Sequence, residues 1–203
     1  MITGLIQTRP IWDQGNNNDV NRWSRIHPRC LTHDGCIVDL GCLGWNKNFF
    51  DHTSDNWSGY FFDKKRVIGS DPQELPHPKA DFFKGFVSNF NGKANLTNEG
   101  HAGAISSTPD GDYEVISWQN FKLKFNITNI SILKVNIEGA EIDLFNSFSE
   151  SDFENIDQIV VSFHDWLYPE IKDGCESITE KIMNHNFSCI DLGIYGWKLF
   201  LKK

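Results

Sequence analysis

The sequence lacks two features that mark membrane-spanning and nucleic-acid-binding proteins. No apolar run approaches the roughly 20 residues that a membrane-spanning helix needs, and no cluster of four or more basic residues occurs. Acidic residues outnumber basic residues by 27 to 19, so the formal net charge is −8. This excess disfavours broad electrostatic binding to a nucleic-acid backbone. We therefore expect neither a membrane nor a nucleic acid as a partner.

The pattern of a secretory leader and that of a disulfide framework are also missing. The first residues show no basic segment followed by an apolar one. The cysteines number five, an odd count, and some lie in apolar strand-like runs, as reduced and packed thiols do. A soluble, cytoplasmic protein is expected. A zinc site is the less favoured alternative, since the spacing of its ligands matches no common finger or ribbon. These ligands would be His27, Cys30, His33 and Cys36.

The chain does contain enough apolar material for one core. It has 203 residues, of which 39% are hydrophobic and 13% aromatic, which is typical of a single folded domain. Residues 1–30 are polar and irregular, so we interpret them as an arm or cap. The domain itself is predicted to span residues 31–203.

Short apolar runs alternate with longer mixed segments after residue 30, as strands and crossovers do in an α/β sheet. Most runs are continuously apolar, which indicates a sheet covered on both faces. Only residues 193–196 separate the last two runs, too few for a parallel crossover, so one antiparallel strand is expected there. The predicted fold class is a Rossmann-like three-layer α/β sandwich with a mostly parallel seven-stranded sheet. The strands are predicted at 36–40, 66–70, 82–87, 132–136, 158–163, 188–192 and 197–201.

Helices are predicted at 46–50, 140–148 and 175–184 from their apolar spacing. The aromatic residues Trp118, Phe121 and Phe125 are expected to pack in the core. The acidic run at 150–154 is expected to be a solvated surface turn.

The first segment with candidate chemistry is the turn after the strand predicted at 36–40. Its predicted cofactor-binding residues are Asp39, Gly41, Cys42 and Gly44. Glycines at the carboxyl end of a first strand let the backbone approach a ligand closely. The pattern Asp-x-Gly argues against the pyrophosphate fingerprint of NAD or FAD, and a carboxylate there suits an ammonium group better than a diphosphate. A plain strand-to-helix turn is an equally weighted alternative.

The second predicted strand also ends in a carboxylate, at Asp71. An acid in this place can accept hydrogen bonds from a ribose diol, so Asp71 is the predicted ribose ligand. Without Asp39 ahead of it, an Asp-Pro turn would be the better interpretation. Pro72, and Ser88 directly after the strand predicted at 82–87, complete the predicted cofactor-binding residues.

The third segment, Ile-Leu-Lys-Val-Asn-Ile-Glu-Gly-Ala-Glu at 132–141, is the most specific in the chain. It resembles the signature of the FkbM family of methyltransferases, usually apolar-Lys-Ile-Asp-apolar-Glu-Gly-Ala-Glu. Segments 38–41, 67–72 and 159–165 resemble, in order, the family's first cofactor motif, its ribose motif and its strand ending in Phe-His. The resemblance covers roughly residues 34–201. It implies a class I fold, S-adenosylmethionine as cofactor, and methyl transfer to a hydroxyl of a small molecule or glycan.

The chain departs from the family pattern at three positions. Trp45 stands about where family members carry another glycine, so the first loop is expected to have a different shape. Asn136 and Ser162 replace an aspartate and a glutamate, which leaves hard cations fewer anionic ligands; no metal is predicted. The same replacements keep open a pseudo-enzyme that binds cofactor or glycan without turnover. A nicotinamide-dependent oxidoreductase is less favoured, because the glycine fingerprint is absent.

The predicted catalytic residues are His164, Glu138 and Asn136. Positioning supplies most of the rate of methyl transfer, but an alcohol acceptor must also lose its proton. His164 follows the fifth predicted strand, with Asp165 beside it, and is the predicted base; a hydrogen-bonded structural histidine is an equal alternative. Glu138 and Glu141 share a side of a helical turn, so one is expected to face the site and the other to cap the helix start.

Overall fold

The computed structural model describes residues 5–7, 25–43, 45, 58–96, 105–193 and 195–203. The helix predicted at 46–50, Gly44 and most of the predicted arm lie outside these residues. Two short segments of the arm do lie within them, and they pair as an antiparallel ribbon.

Within the described ranges the chain forms thirteen strands and four α-helices. The strands are β1 (Ile6–Gln7), β2 (Arg25–Ile26), β3 (Cys36–Leu40), β4 (Val67–Ser70), β5 (Asp81–Phe83), β6 (Phe86–Ser88), β7 (Gly92–Leu96), β8 (Ile105–Ser107), β9 (Tyr113–Ser117), β10 (Ile130–Val135), β11 (Gln158–Ser162), β12 (Phe187–Asp191) and β13 (Trp197–Lys202). The helices are α1 (Trp118–Phe125), α2 (Glu141–Asn146), α3 (Glu150–Glu154) and α4 (Lys172–Asn184).

Seven strands form one sheet in the order β12-β13-β11-β10-β3-β4-β5. The pairs β11–β10, β10–β3, β3–β4 and β4–β5 are parallel, whereas β13 runs antiparallel to both β11 and β12. The prediction of a mostly parallel seven-stranded sheet is therefore confirmed, and the architecture is compatible with a Rossmann-like fold. Antiparallel pairs also occur outside this sheet, between β1 and β2 and between β7 and its neighbours β8 and β9.

The order of the strands reverses between β3 and β10. From β3 the chain adds β4 and then β5 on one side, and it returns to place β10 and then β11 on the other side. In open α/β sheets the loops that follow two such strands diverge and leave a crevice, where ligands bind. The carboxyl ends of β3 and β10 are thus the place to look for a site.

The strand predicted at 82–87 is wrong as a single element. The structure divides it into β5, at the edge of the large sheet, and β6, which belongs to a second sheet of order β6-β9-β7-β8. The chain leaves the first sheet at Lys84 and Gly85, and Ser70 Oγ donates to Gly85 O at 2.7 Å. A continuous apolar run does not show that its two halves have different partners.

Buried side chains cover both faces of the large sheet, as predicted. One face carries a core to which all four described helices contribute, including Trp118 and Phe121 of α1 and Ile178 of α4. Alternate strand residues point to the opposite face, where Ile37 and Trp45 belong to a separate core. In the described ranges this second face is covered by 3-10 turns and extended segments rather than by α-helices.

The acidic run at 150–154 is a helix, α3, and the expected solvated turn is wrong. Ser149 precedes the helix, and its backbone N–H donates to Asp152 Oδ2 at 2.7 Å. Asp152 is buried and accepts hydrogen bonds from Trp118 Nε1, Gln119 Nε2 and Lys122 Nζ. Burial alone would raise the pKa of Asp152, but these donors outweigh it and lower the pKa. The carboxylate therefore fastens α3 to α1.

The cysteines are free thiols, as expected, and Cys189 alone of the five is not fully buried. The zinc alternative finds no support, because the described residues, which include its four ligands, contain no group of three or more side chains that could hold a metal. No helix within the described ranges is long and apolar enough to cross a bilayer.

Candidate functional site

The loops after β3 and β10 touch at the point where the strand order reverses. Asn136 N–H donates to Leu40 O at 3.0 Å, and Gly41 has a φ of +76°. A Cβ at Gly41 would overlap the carbonyl oxygen of Asn136. Only glycine fits this position, so the loops after β3 and β10 pack backbone against backbone here.

Asp39 is fully buried below these loops and is surrounded by protein donors. Its Oδ2 accepts from Trp45 Nε1 at 3.0 Å and from Ser58 Oγ at 2.6 Å. Its Oδ1 lies 2.9 Å from Nζ of Lys134, which is also buried. The same Lys134 ammonium donates to the carbonyl oxygens of Leu40 and Gly41. The carboxylate thus connects β3 to three side chains, those of Trp45, Ser58 and Lys134.

Trp45, which replaces the glycine that the resemblance leads one to expect, shapes the underside of the loop. Its indole ring occupies the space that a side chain at Gly69 would need, and Cys42 Sγ borders the same space. Burial, with the nearby carboxylate of Asp39, raises the pKa of the Cys42 thiol well above its usual range. Cys42 is therefore a neutral packing group.

Asp71 follows β4, next to β3, and its carboxylate is held differently. Oδ1 accepts from the backbone N–H groups of Gln73 at 2.8 Å and Glu74 at 3.0 Å. Among the described residues no donor bonds Oδ2. Burial raises the pKa of Asp71, although the two N–H groups partly offset the effect. One oxygen of a largely buried carboxylate is consequently left for a ligand.

The structure does not bring all the predicted cofactor-binding residues together. Asp39, Gly41, Cys42, Asp71 and Pro72 lie at the ends of β3 and β4. In contrast, Ser88 ends β6 in the smaller sheet, where it is buried and its Oγ lies 3.5 Å from Asn89 Oδ1. Gly44 is outside the described residues.

His164 lies buried between two glutamates. Its Nε2 is 3.1 Å from Glu138 Oε2, and its Nδ1 is 2.9 Å from Glu141 Oε1. Burial alone would lower the pKa of His164, but the hydrogen bonds to Glu138 and Glu141 outweigh it and raise the pKa to about 10. At neutral pH the ring is an imidazolium that donates from both nitrogens. In this state His164 has no lone pair with which to accept a further proton.

The structure distinguishes the roles of the two glutamates, which the sequence did not assign individually. Glu141 is fully buried and accepts from the N–H groups of Ile137 and Gly139, so it fixes the turn before α2. Glu138 lies in that turn with a φ of +56°, and its side chain is 30% exposed. Glu138 is therefore the member of the trio that a ligand can reach.

The sequence analysis did not identify the three residues that contact Asp39, namely Lys134, Trp45 and Ser58. Of these, Lys134 could have been identified from the sequence. Lys134 stands in a continuously apolar strand, where a buried ammonium requires a buried carboxylate partner. That requirement points to Asp39 on the neighbouring strand, in register with Lys134. Trp45 and Ser58 left no such signal, because their contacts with Asp39 depend on the path of the loop.

Comparison of the chain with protein-family models, with curated proteins and with solved structures finds no match.

Proposed function

We propose that the protein is an S-adenosylmethionine-dependent O-methyltransferase with a class I, Rossmann-like three-layer domain, and that its acceptor is a hydroxyl of a small molecule or glycan. The observation that carries the proposal is the pair of carboxylates, Asp39 and Asp71, at the ends of adjacent strands beside the reversal of strand order. The motif at 132–141 and its order relative to the two acidic turns support it.

The residues at the crevice fit the cofactor. Gly41 lets the loops after β3 and β10 meet closely, and the oxygen of Asp71 that accepts no hydrogen bond within the described residues suits a ribose hydroxyl. Asp39 and Lys134 hold the loop in shape. When bound, the cofactor supplies a methyl group on a positively charged sulfur and leaves as a neutral thioether.

The acceptor proton is assigned to Glu138. Its exposed carboxylate can accept the hydroxyl proton as the acceptor oxygen takes the methyl group, and the proton then rests on Glu138. His164 holds this carboxylate in one orientation, and Glu141 in turn holds the imidazolium. We therefore replace the predicted base, His164, by a pair of residues. Glu138 accepts the proton, and His164 holds the Glu138 carboxylate in position. We assign Asn136, which follows β10 and bonds the backbone of Leu40, to orienting the acceptor hydroxyl.

Ligand-induced stabilisation tests the cofactor. A ligand that binds only the folded state raises the melting temperature, so S-adenosylhomocysteine and S-adenosylmethionine should raise it and NAD should not. Stabilisation by NAD alone would establish the oxidoreductase instead. Stabilisation by S-adenosylhomocysteine without turnover on a broad panel of alcohols and sugars would establish the pseudo-enzyme.

Substitution of Glu138 tests the chemistry. Glu138→Gln should lower kcat about 10²–10⁴-fold, the scale of general-base catalysis, and leave the affinity for S-adenosylhomocysteine unchanged. Asp143→Asn, on an exposed carboxylate of α2, is the matched control and should retain full activity. A large loss of kcat in His164→Gln together with normal turnover in Glu138→Gln would return the base assignment to His164.

A further inference from the structure

Two large aromatic side chains lie exposed and in contact at the carboxyl edge of the sheet. Trp166 is 50% exposed and Tyr195 is 57% exposed, and their ring centroids are 5.1 Å apart at an interplanar angle of 53°. Most other large apolar side chains of the described residues are buried. Two exposed aromatic rings in contact offer a surface on which a ligand can rest.

The fold holds this aromatic pair in place. Trp166 belongs to the 3-10 turn that directly follows β11, and Tyr195 belongs to the hairpin between β12 and β13. The hairpin is tied to β11, because Ser162 Oγ donates to Tyr195 O at 2.9 Å and Phe163 N–H donates to Gly196 O at 3.1 Å. The two rings are thus carried by anchored segments.

The aromatic pair adjoins the group that we assign to proton removal. The ring centroids of Trp166 and His164 are 6.2 Å apart, and His164 Nε2 contacts Glu138. His164 is thus a neighbour of both Trp166 and the Glu138 carboxylate, so a molecule bound on the Trp166 ring lies near that carboxylate. This continuity makes the aromatic pair part of the acceptor side of the site.

The charges around the pair select the kind of molecule. Three carboxylates lie here, since Asp165 Oδ1 lies close to Gly196, next to Tyr195, and Glu138 and Glu141 flank His164. The imidazolium of His164 balances one of them. A net negative charge remains beside two aromatic faces, an arrangement that favours a cation over a neutral or anionic ring.

We propose that Trp166 and Tyr195 bind an ammonium group of the acceptor, and that this ammonium lies beside the hydroxyl that receives the methyl group. The inference rests on the O-methyltransferase function proposed above. The acceptor class is therefore an amino alcohol, including amino sugars. Its ammonium lies against the aromatic faces while its hydroxyl reaches Glu138.

A matched pair of probes tests this recognition without any cofactor. trans-2-Aminocyclohexanol and trans-1,2-cyclohexanediol share a ring and a hydroxyl, and only the first carries a cation at pH 7. The dissociation constants, measured by titration in NMR, should favour the amino alcohol on the order of fivefold, as a cation–π contact of about 1 kcal/mol requires. Equal binding of the two probes would overturn the proposal.

Variants locate the preference. Trp166→Leu keeps apolar bulk but removes the ring, so the preference for the amino alcohol should fall by more than half, whereas Tyr195→Phe should retain it. Leu123→Ala, at an exposed apolar residue of α1, is the control and should change nothing. An unchanged preference in a folded Trp166→Leu would also overturn the proposal. If that variant does not fold, the comparison of the two probes on the unaltered protein still decides.

The failure of this inference is distinguishable from the failure of the proposed function. A clear preference for the amino alcohol with no methylation of any acceptor would contradict the enzyme and leave the cation site standing. Methylation of both probes with equal kcat/KM would contradict the cation site and leave the enzyme standing.

Discussion

Asp39 and Asp71 lie at the ends of neighbouring parallel strands, but the protein surrounds their carboxylates in opposite ways. Asp39 is met by Trp45, Ser58 and the ammonium of Lys134. Within the described part of the chain, Asp71 accepts hydrogen bonds from two backbone N–H groups of the residues that follow it, both on one oxygen. Both oxygens of the Asp39 carboxylate contact protein groups, whereas one oxygen of the Asp71 carboxylate remains available to a ligand.

The difference separates two roles that look alike in a sequence. A buried charge with several donors stabilises the loop that contains it. Removing one partner leaves the remaining buried groups without full compensation, which lowers the stability of the fold. A buried charge with few donors costs stability until a ligand supplies the rest. We therefore expect substitutions at Asp39 and its partners to act mainly on folding, and those at Asp71 to act mainly on binding.

Lys134→Met should have the largest effect, because it leaves Asp39 charged and without its cation. The expected loss in the free energy of unfolding is about 3–5 kcal/mol, the scale for breaking a buried ion pair from one side. Urea denaturation followed by circular dichroism measures it. The double variant Asp39→Asn with Lys134→Met should lose less than the sum of the single losses. A loss below about 1 kcal/mol in Lys134→Met would mean that Asp39 is not enclosed as described.

Asp71→Ala should weaken the binding of S-adenosylhomocysteine by about 1.5–3 kcal/mol, the scale for losing a hydrogen-bonding partner that carries a charge. Isothermal titration calorimetry measures the affinity, and circular dichroism confirms that the variant is folded. Unchanged affinity would remove Asp71 from the ribose role and erase the contrast with Asp39.

The pH dependence of stability extends the comparison to His164, a third buried charge and one that is enclosed by partners of opposite sign. The pKa of His164 is raised from 6.5 to about 10 in the folded state. Its contribution to stability is therefore complete below pH 6.5, falls between pH 6.5 and pH 10, and is lost above that. The slope reaches at most about 1.4 kcal/mol per pH unit. Urea unfolding at pH 7, 8 and 9 should show this fall, and His164→Gln should flatten it.

Asp71→Asn should have the smallest effect and the opposite sign to substitutions around Asp39. Because burial raises the pKa of Asp71, its ionised form is disfavoured in the folded state at neutral pH. The neutral amide keeps an oxygen for the two N–H groups, so the variant should be more stable at pH 7 by less than about 1 kcal/mol. The gain should shrink as the pH falls and Asp71 itself becomes protonated. Thermal melts at pH 7 and pH 4 measure this gain. A lower melting temperature of the variant at either pH would contradict the interpretation.

The sheet could be predicted from the sequence because its strands are buried on both faces. Six of the seven predicted strands lie within two residues of observed strands at each end, since continuous apolar runs carry a local signal. The helix α1 was not predicted, although Trp118, Phe121 and Phe125 have helical spacing and Ser117 Oγ caps the first turn. These three aromatic residues were predicted to pack in the core, but their helical spacing was not used to predict a helix.

The site could be predicted only in outline. The positions of Asp39, Asp71, Glu138 and His164 follow from the rule that ligands bind at the carboxyl ends of parallel strands. Their protonation and roles could not be predicted, because these depend on contacts between distant segments. His164 is paired with glutamates 26 and 23 positions earlier in the chain, and no local pattern encodes the fact that both carboxylates face one ring.

The place of β13 in the sheet has a consequence for the protein during its synthesis. Among the described strands, β12 lies at the edge and pairs only with β13, which separates it from β11. After β3, each strand of the large sheet finds a neighbour among strands already made, except β12, which emerges from the ribosome before its partner exists. Until β13 inserts, β11 and β12 both present unpaired edges, which chaperones or a second nascent chain can bind. A translational pause before residue 197 would therefore prolong the most aggregation-prone stage of folding.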